Sequence, residues 1–139
     1  MNSPRKEFSG QCLCGAVQYE IRGALNDPHA CHCGQCRRQS GHYTATTHVK
    51  RTDFSLTEER GLKWYRSSKI AERGFCAECG SPLFWDDGGE DVYISAGSLN
   101  QPTGLNLASY IFADEKGDYY EISDDLPKFA GYDRLLAPD

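Results

Sequence analysis

A mainly β protein, a single domain of short antiparallel strands, is what this sequence predicts, and three observations predict it. Apolar and polar residues alternate over short stretches, and no long run repeats at helical spacing. Fourteen glycines and six prolines among 139 residues supply turns at close intervals. Seven cysteines fall into three tight clusters, a pattern that suits short segments gathered around bound metal.

The strands follow in chain order. Val17, Tyr19 and Ile21 alternate with polar neighbours, as one half-buried strand would. Residues 43–49, YTATTHV, are rich in β-branched side chains and predict another. Further strands are expected at Phe54–Leu56, Leu62–Tyr65, Pro82–Trp85, Val92–Ser95, Leu107–Phe112 and Tyr119–Ile122. Asp86-Asp87-Gly88-Gly89 lies between two of these and reads as a hairpin turn. One helical turn is expected from Arg37 to Gly41. Nothing suggests a repeat or a linker, so residues 1–139 are expected to form one domain with its core at about 8–130.

Composition narrows the function classes. The formal charge is −5, poorly suited to a phosphate backbone, so no nucleic-acid partner is expected. No stretch approaches the roughly 20 apolar residues of a membrane span. The opening residues MNSPRKEFSG hold no apolar run, so no secretory leader is expected and the cytoplasm is the expected location. In that reducing compartment paired cysteines more often bind metal than form disulfides, and an odd number does not suit a disulfide framework.

The clusters are Cys12-Leu-Cys14-Gly15, Cys31-His-Cys33-Gly34-Gln-Cys36 and Cys76-Ala-Glu-Cys79-Gly80. In extended chain, residues two apart point to the same side, and Cys-x-x-Cys reaches the same result by turning tightly. The glycine after a cysteine permits φ > 0, letting the chain curl and aim N–H groups at sulfur. Zinc in structural sites takes four ligands, so seven thiolates divide into four and three. The unbroken triplet Cys31, Cys33 and Cys36 resists division, leaving Cys12, Cys14, Cys76 and Cys79 as a closed structural zinc site. With both sites filled the net charge becomes about −8. Arg37-Arg38 and the Lys69–Arg73 stretch either offset that charge or meet an anionic substrate.

Three thiolates leave a coordination position that is either open, as in a reactive zinc, or filled by a histidine. His29, His32 and His42 are near in sequence. His32, between two ligands, should point away from the ion, and His48 sits in a strand pattern as a surface or packing residue.

At these residues the sequence resembles the glutathione-dependent formaldehyde-activating enzyme family, which includes the centromere-protein-V-like domains. The likeness runs through GQCLCGAVQYEI, CHCGQCRRQSG, Tyr65 to RGFCAECGSPLFW, ISAGSLN and ISDDLPKF. It departs in the tail, where members often carry histidine at the place of Tyr110 and tryptophan near Tyr119. The resemblance implies a β-tent fold organised around a structural zinc on Cys12, Cys14, Cys76 and Cys79. It also implies a catalytic zinc on Cys31, Cys33 and Cys36, two ions per chain in all. The activity it implies is that of a carbon–sulfur lyase, read in reverse as addition of a thiol such as glutathione to formaldehyde or a related aldehyde. A homodimer is left open. Ser40, Tyr43 and Ser98 offer hydroxyls for the proton that must move, though each suits packing or surface as well. Two other classes compete: a non-catalytic zinc module that binds protein, and a redox protein using Cys76-x-x-Cys79, which lacks the βαβ surroundings of such motifs.

Overall fold

Strands dominate because the alternating stretches can bury one face at a time, and short turns fold them back on each other. The computed structural model describes residues 7–132; residues 1–6, the start of the stretch in which no leader is expected, and residues 133–139 lie outside the described residues. The strands are β1 (Glu7–Gln11), β2 (Gln18–Arg22), β3 (His29–Cys31), β4 (Thr44–Lys50), β5 (Phe54–Glu58), β6 (Leu62–Arg66), β7 (Glu72–Cys76), β8 (Pro82–Asp86), β9 (Asp91–Ser95) and β10 (Ser109–Ile111), with one helix, α1 (Gly34–Ser40). The mainly β expectation holds. No helix among the described residues is long and apolar enough to cross a membrane.

The chain divides into two compact units. The first contains the chain up to Asn26 and Thr47–Gly104. In it β1, β2 and β5 form an antiparallel sheet, with Tyr19 and Ile21 of β2 facing inward as the alternation predicts. A second antiparallel run takes the order β9-β8-β7-β6. Across it Trp64, Gly74 and Phe84 are cross-strand neighbours, and the absence of a side chain at Gly74 lets the Trp64 and Phe84 rings stack over it at 6.1 Å. Val17, Tyr19, Ile21, Leu83, Phe84 and Ile94 form the core, each buried side chain contributing about 1.5–3 kcal/mol. The predicted hairpin turn joins β8 to β9, with Gly88 N–H donating to Asp86 at 2.8 Å. Arg51 grips the Asp86 carboxylate through both terminal nitrogens, at 2.6 and 3.0 Å.

The second unit contains Asp27–Thr46 and the chain from Leu105 on. There β3 pairs in parallel with β10 and antiparallel with the start of β4. All three residues of β3 are buried. Helix α1 starts earlier than the expected Arg37, because the Cys33 sulfur accepts the Cys36 N–H in the way a serine or aspartate N-cap would. It ends at Gly41, whose φ of 86° allows its N–H to return to the Arg37 carbonyl.

Three strands exceed the expectation: β1, β3 and β7. One expected strand is corrected: Tyr119–Ile122 forms none. Tyr119 and Tyr120 both turn into one ring cluster, against His42 (5.6 and 4.7 Å), whereas a strand would send neighbours to opposite faces.

Candidate metal centres

In the first unit, the sulfurs of Cys12, Cys14, Cys76 and Cys79 all lie within 4.8 Å of one another. Cys12–Cys14 and Cys14–Cys76 are each separated by 3.8 Å. A tetrahedral ion with metal–sulfur bonds of about 2.3 Å requires edges of about 3.8 Å, so the four thiols fit such an ion. Two similar backbone curls present them. Cys12 N–H donates to Val17 O and Gly15 N–H to Cys12 O (3.0 and 3.4 Å); Cys76 N–H donates to Ser81 O and Gly80 N–H to Cys76 O (3.0 and 2.7 Å). Gly15 and Gly80 both have φ of 84°, the left-handed conformation expected of the glycine after a cysteine. Gly34 departs from that expectation, since it opens α1.

Polar hydrogens around the sulfurs complete the curls. Val17 N–H points at Cys12 Sγ from 3.3 Å. Ser81 Oγ lies 3.2 Å from Cys79 Sγ and accepts Leu13 N–H at 3.1 Å, joining the two curls. The Ser81 hydroxyl, with its backbone N–H, holds the Cys79 thiol down at about 5. Gly61 lies directly behind the cluster, where a Cβ would sit 2.7 Å from Cys76 Sγ and 2.9 Å from Ala16 Cβ. Sequence reasoning missed Gly61 because no cysteine adjoins it.

In the second unit, the sulfurs of Cys31, Cys33 and Cys36 also lie within 4.8 Å of one another. Cys31 ends β3, Cys33 caps α1 and Cys36 lies in its first turn. Cys31 and Cys36 are buried, whereas Cys33 is half exposed. Hydrogen bonding from the Cys31 and Cys36 thiols holds Cys33 far below the ordinary thiol range, and the same contacts push Cys31 up. The donor set is three closely spaced thiols, and it suits a thiophilic metal ion.

No histidine joins this group among the described residues. His29 Nδ1 meets Ser109 Oγ at 2.6 Å. His32, expected to point away from the ion, stays out of the group; it is fully buried, stacked on Tyr43 and bonded to the Tyr120 hydroxyl. Burial lowers its pKa. His42 Nδ1 meets the Tyr119 hydroxyl at 2.6 Å. His48, in the first unit, packs on Tyr93 and lies 3.6 Å from Asp91.

The proton-donor candidates separate. Ser40 donates back to the Cys36 carbonyl at 2.7 Å. Ser98, in the first unit, donates to Ser95 O and pairs with the buried Tyr19 hydroxyl. Tyr43 lies against both His32 and His42. This cluster of His32, His42, Tyr43, Tyr119 and Tyr120 left no signal in the sequence beyond the aromatic content of the tail. Of the basic candidates, Arg73 is buried in β7, while Arg37 is half-buried one turn along α1 from Cys33.

A β-rich protein with one four-thiol and one three-thiol metal-ligating cluster is the class these features define. Residues 7–115 match the glutathione-dependent formaldehyde-activating enzyme family. The chain belongs to that family. It is 28% identical over 128 residues to an "uncharacterized lyase" of Schizosaccharomyces pombe, covering 88% of this chain and 90% of that one. A crystal structure of a Rhodobacter sphaeroides protein superposes with a TM-score of 0.59 at 25% identity, covering 73% of this chain and 98% of the other.

Proposed function

We propose that the chain is a zinc-dependent carbon–sulfur lyase that joins a thiol to a small aldehyde, formaldehyde or a relative, and catalyses the reverse cleavage. One observation carries the reading: a cluster of three thiols that no protein histidine completes, with Cys33 within reach of solvent. Family membership and the lyase name of the yeast relative support it. Cys12, Cys14, Cys76 and Cys79 hold the structural zinc in this reading, and Cys31, Cys33 and Cys36 hold the catalytic one. When bound, that second ion supplies positive charge that favours thiolate at neutral pH or polarises an aldehyde oxygen.

The chemistry balances without an oxidant. The substrate sulfur bonds to the aldehyde carbon, the carbonyl π pair moves to oxygen, and the proton lost by the thiol ends on that oxygen. The protein keeps the triplet together through the Cys33 cap and the β3–β4 pairing, which fix all three sulfurs on one short segment. Reduced cysteines are essential to both sites, and on that ground we place the protein in the cytoplasm.

The test combines metal analysis with a thiol and aldehyde screen followed by proton NMR of the adduct. Two zinc ions per chain and adduct exchange faster than the uncatalysed rate are expected, with Cys33→Ser abolishing the acceleration. Full occupancy without acceleration across the screen would leave a non-catalytic zinc module as the answer.

A further inference from the structure

The first unit carries a cleft of about 360 Å³ that neither cysteine cluster lines, and its volume falls in the range of small-molecule sites. Strands β6, β8 and β9 supply Trp64, Phe84 and Val92 to it, and β5 supplies Phe54 and Leu56 from the other sheet. Strand β5 ends its three-stranded sheet, so no further strand of that sheet covers the cleft. The rings are fixed by packing. Phe84 is buried and meets Phe54 edge-on at 5.4 Å, and Tyr19 packs on the two at 5.5 and 5.6 Å. Trp64 stacks on Phe84, a spacing that Gly74 preserves, since a Cβ there would sit 3.0 Å from both rings. Trp64 nevertheless keeps 38% of its surface exposed. An indole left facing an open cleft is a binding surface, and of the aromatic rings it attracts cations best.

Charge points the same way. Arg51 is the one basic residue that lines the cleft, and it is fully engaged. It donates to both oxygens of Asp86 at 2.6 and 3.0 Å and to the Gly89 carbonyl at 2.9 and 3.1 Å. The Arg51 guanidinium holds the Asp86 carboxyl below the usual carboxylate range. Glu59, the other acid of the lining, has no side-chain partner among the described residues, so one negative charge is left uncompensated. Neighbouring bases do not supply the missing charge. Arg60 pairs with Glu78 and Glu58 at 3.0 and 3.6 Å, and Arg66 with Glu72 at 3.5 Å. Lys63 precedes Trp64 in β6 and so projects to the other face of that strand. A single carboxylate offers too few ligands for a hard metal ion, whereas aromatic rings beside it suit an organic cation.

We propose that this cleft binds a small quaternary ammonium ion, free in solution, with its apolar body on Phe54, Leu56 and Val92 and its charged head against Trp64 and Glu59. It is a second ligand site of the chain, in a different unit from the three-cysteine cluster. It stands or falls independently of the lyase reading.

The test varies charge at constant shape. Zinc-loaded full-length protein is titrated at neutral pH with choline, with neohexyl alcohol, which is choline with carbon in place of nitrogen, and with the anion of tert-butylacetic acid. Calorimetry reads affinity, and amide and indole NMR shifts read the place of binding. Choline is expected to bind about tenfold more tightly than the alcohol, with no binding of the anion. It should shift the Trp64 indole N–H together with the amides of Phe54 to Glu59. Glu59→Gln, a change at an exposed residue, should bring choline down to the level of the alcohol and leave the alcohol unchanged. Trp64→Leu should weaken both, and should that variant fold poorly the shift map of the unsubstituted protein decides alone. An alcohol that binds as tightly as choline, shifts centred on Cys31 to Cys36, choline binding indifferent to Glu59→Gln, or no binding at all would each overturn the inference. Phosphatidylcholine vesicles are expected to leave the protein in the supernatant on centrifugation. Sedimentation with them that Trp64→Leu abolishes would overturn the free-ion assignment in favour of a lipid headgroup.

Discussion

The two cysteine clusters differ in where their ligands come from. Cys14 and Cys76, 62 residues apart, bring their sulfurs to 3.8 Å in the first unit. The second unit draws all three ligands from Cys31 to Cys36. Loop-closure entropy grows with the logarithm of loop length, so a metal on the first cluster removes far more freedom from the unfolded chain than one on the second. The polar surroundings differ in the same sense. Backbone curls, Ser81 and the bare face of Gly61 support the four sulfurs, of which those of Cys12 and Cys76 belong to buried residues and that of Cys14 to an exposed one. The three sulfurs depend on one helix cap, with Cys31 and Cys36 buried and Cys33 half-buried. A metal on the first cluster would tie distant segments of chain together, whereas one on the second would hold a single short segment.

The largest effect that this contrast predicts separates Cys79→Ser from Cys33→Ser. A structural zinc site supplies about 10–16 kcal/mol of apparent binding energy, comparable with the whole stability of a domain. Cys79→Ser should therefore leave no cooperative thermal transition by circular dichroism. Cys33→Ser should lose one metal equivalent and keep a melting temperature within a few degrees of the parent. A normally melting Cys79→Ser protein would break the distinction.

Gly61→Ala probes the closed cluster without touching a ligand. The added Cβ would press on Cys76 Sγ and Ala16, an overpacking that costs about 1–3 kcal/mol. A melting temperature lower by several degrees is expected. In chelator competition the four-cysteine cluster should release its metal sooner, with the three-cysteine cluster unaffected. Equal loosening of both would show that the two are not separable.

The smallest effect lies in the second unit, away from the sulfurs. Tyr110 donates to Asp124, and that bond pushes the phenol up to about 12 while it lowers the carboxylate. A lowered carboxylate stabilises the fold above its unfolded pKa near 4 and loses that contribution as pH falls through the folded value. A raised phenol stabilises below its unfolded pKa near 10, and the contribution is lost as pH rises through about 12. Tyr110→Phe should thus lower the melting temperature slightly at pH 7, and the gap should narrow toward acid. A gap that widens toward acid would contradict the assignment.

Much of both clusters was legible because their chemistry is local: Cys-x-Cys, Cys-x-x-Cys and the following glycines announce themselves in a few residues. The four-plus-three grouping was legible because three sulfurs in a run of six residues cannot easily be shared. What stayed hidden depends on distant partners. Strand β7 has a glycine at its centre, which alone argues against a strand, and only the rings of Trp64 and Phe84 across its neighbours explain it. Gly61 gave no sign of its closeness to Cys76, since that contact exists only after β6 and β7 pair. Tyr119–Ile122 misled because tyrosine and isoleucine favour strands in general, whereas the histidines that capture both tyrosines lie about eighty residues earlier.

The 62-residue span between the two halves of the four-cysteine cluster also sets a timetable during synthesis. At about 5–20 residues per second, a ribosome delivers Cys76 some 3–12 seconds after Cys14. Throughout that interval the first pair is an incomplete claw, able to hold an ion only loosely. The triplet, by contrast, emerges within about a second or so and is fully formed as a ligand set once Cys36 leaves the exit tunnel. A nascent chain therefore completes its three-cysteine ligand set first and its four-cysteine set last.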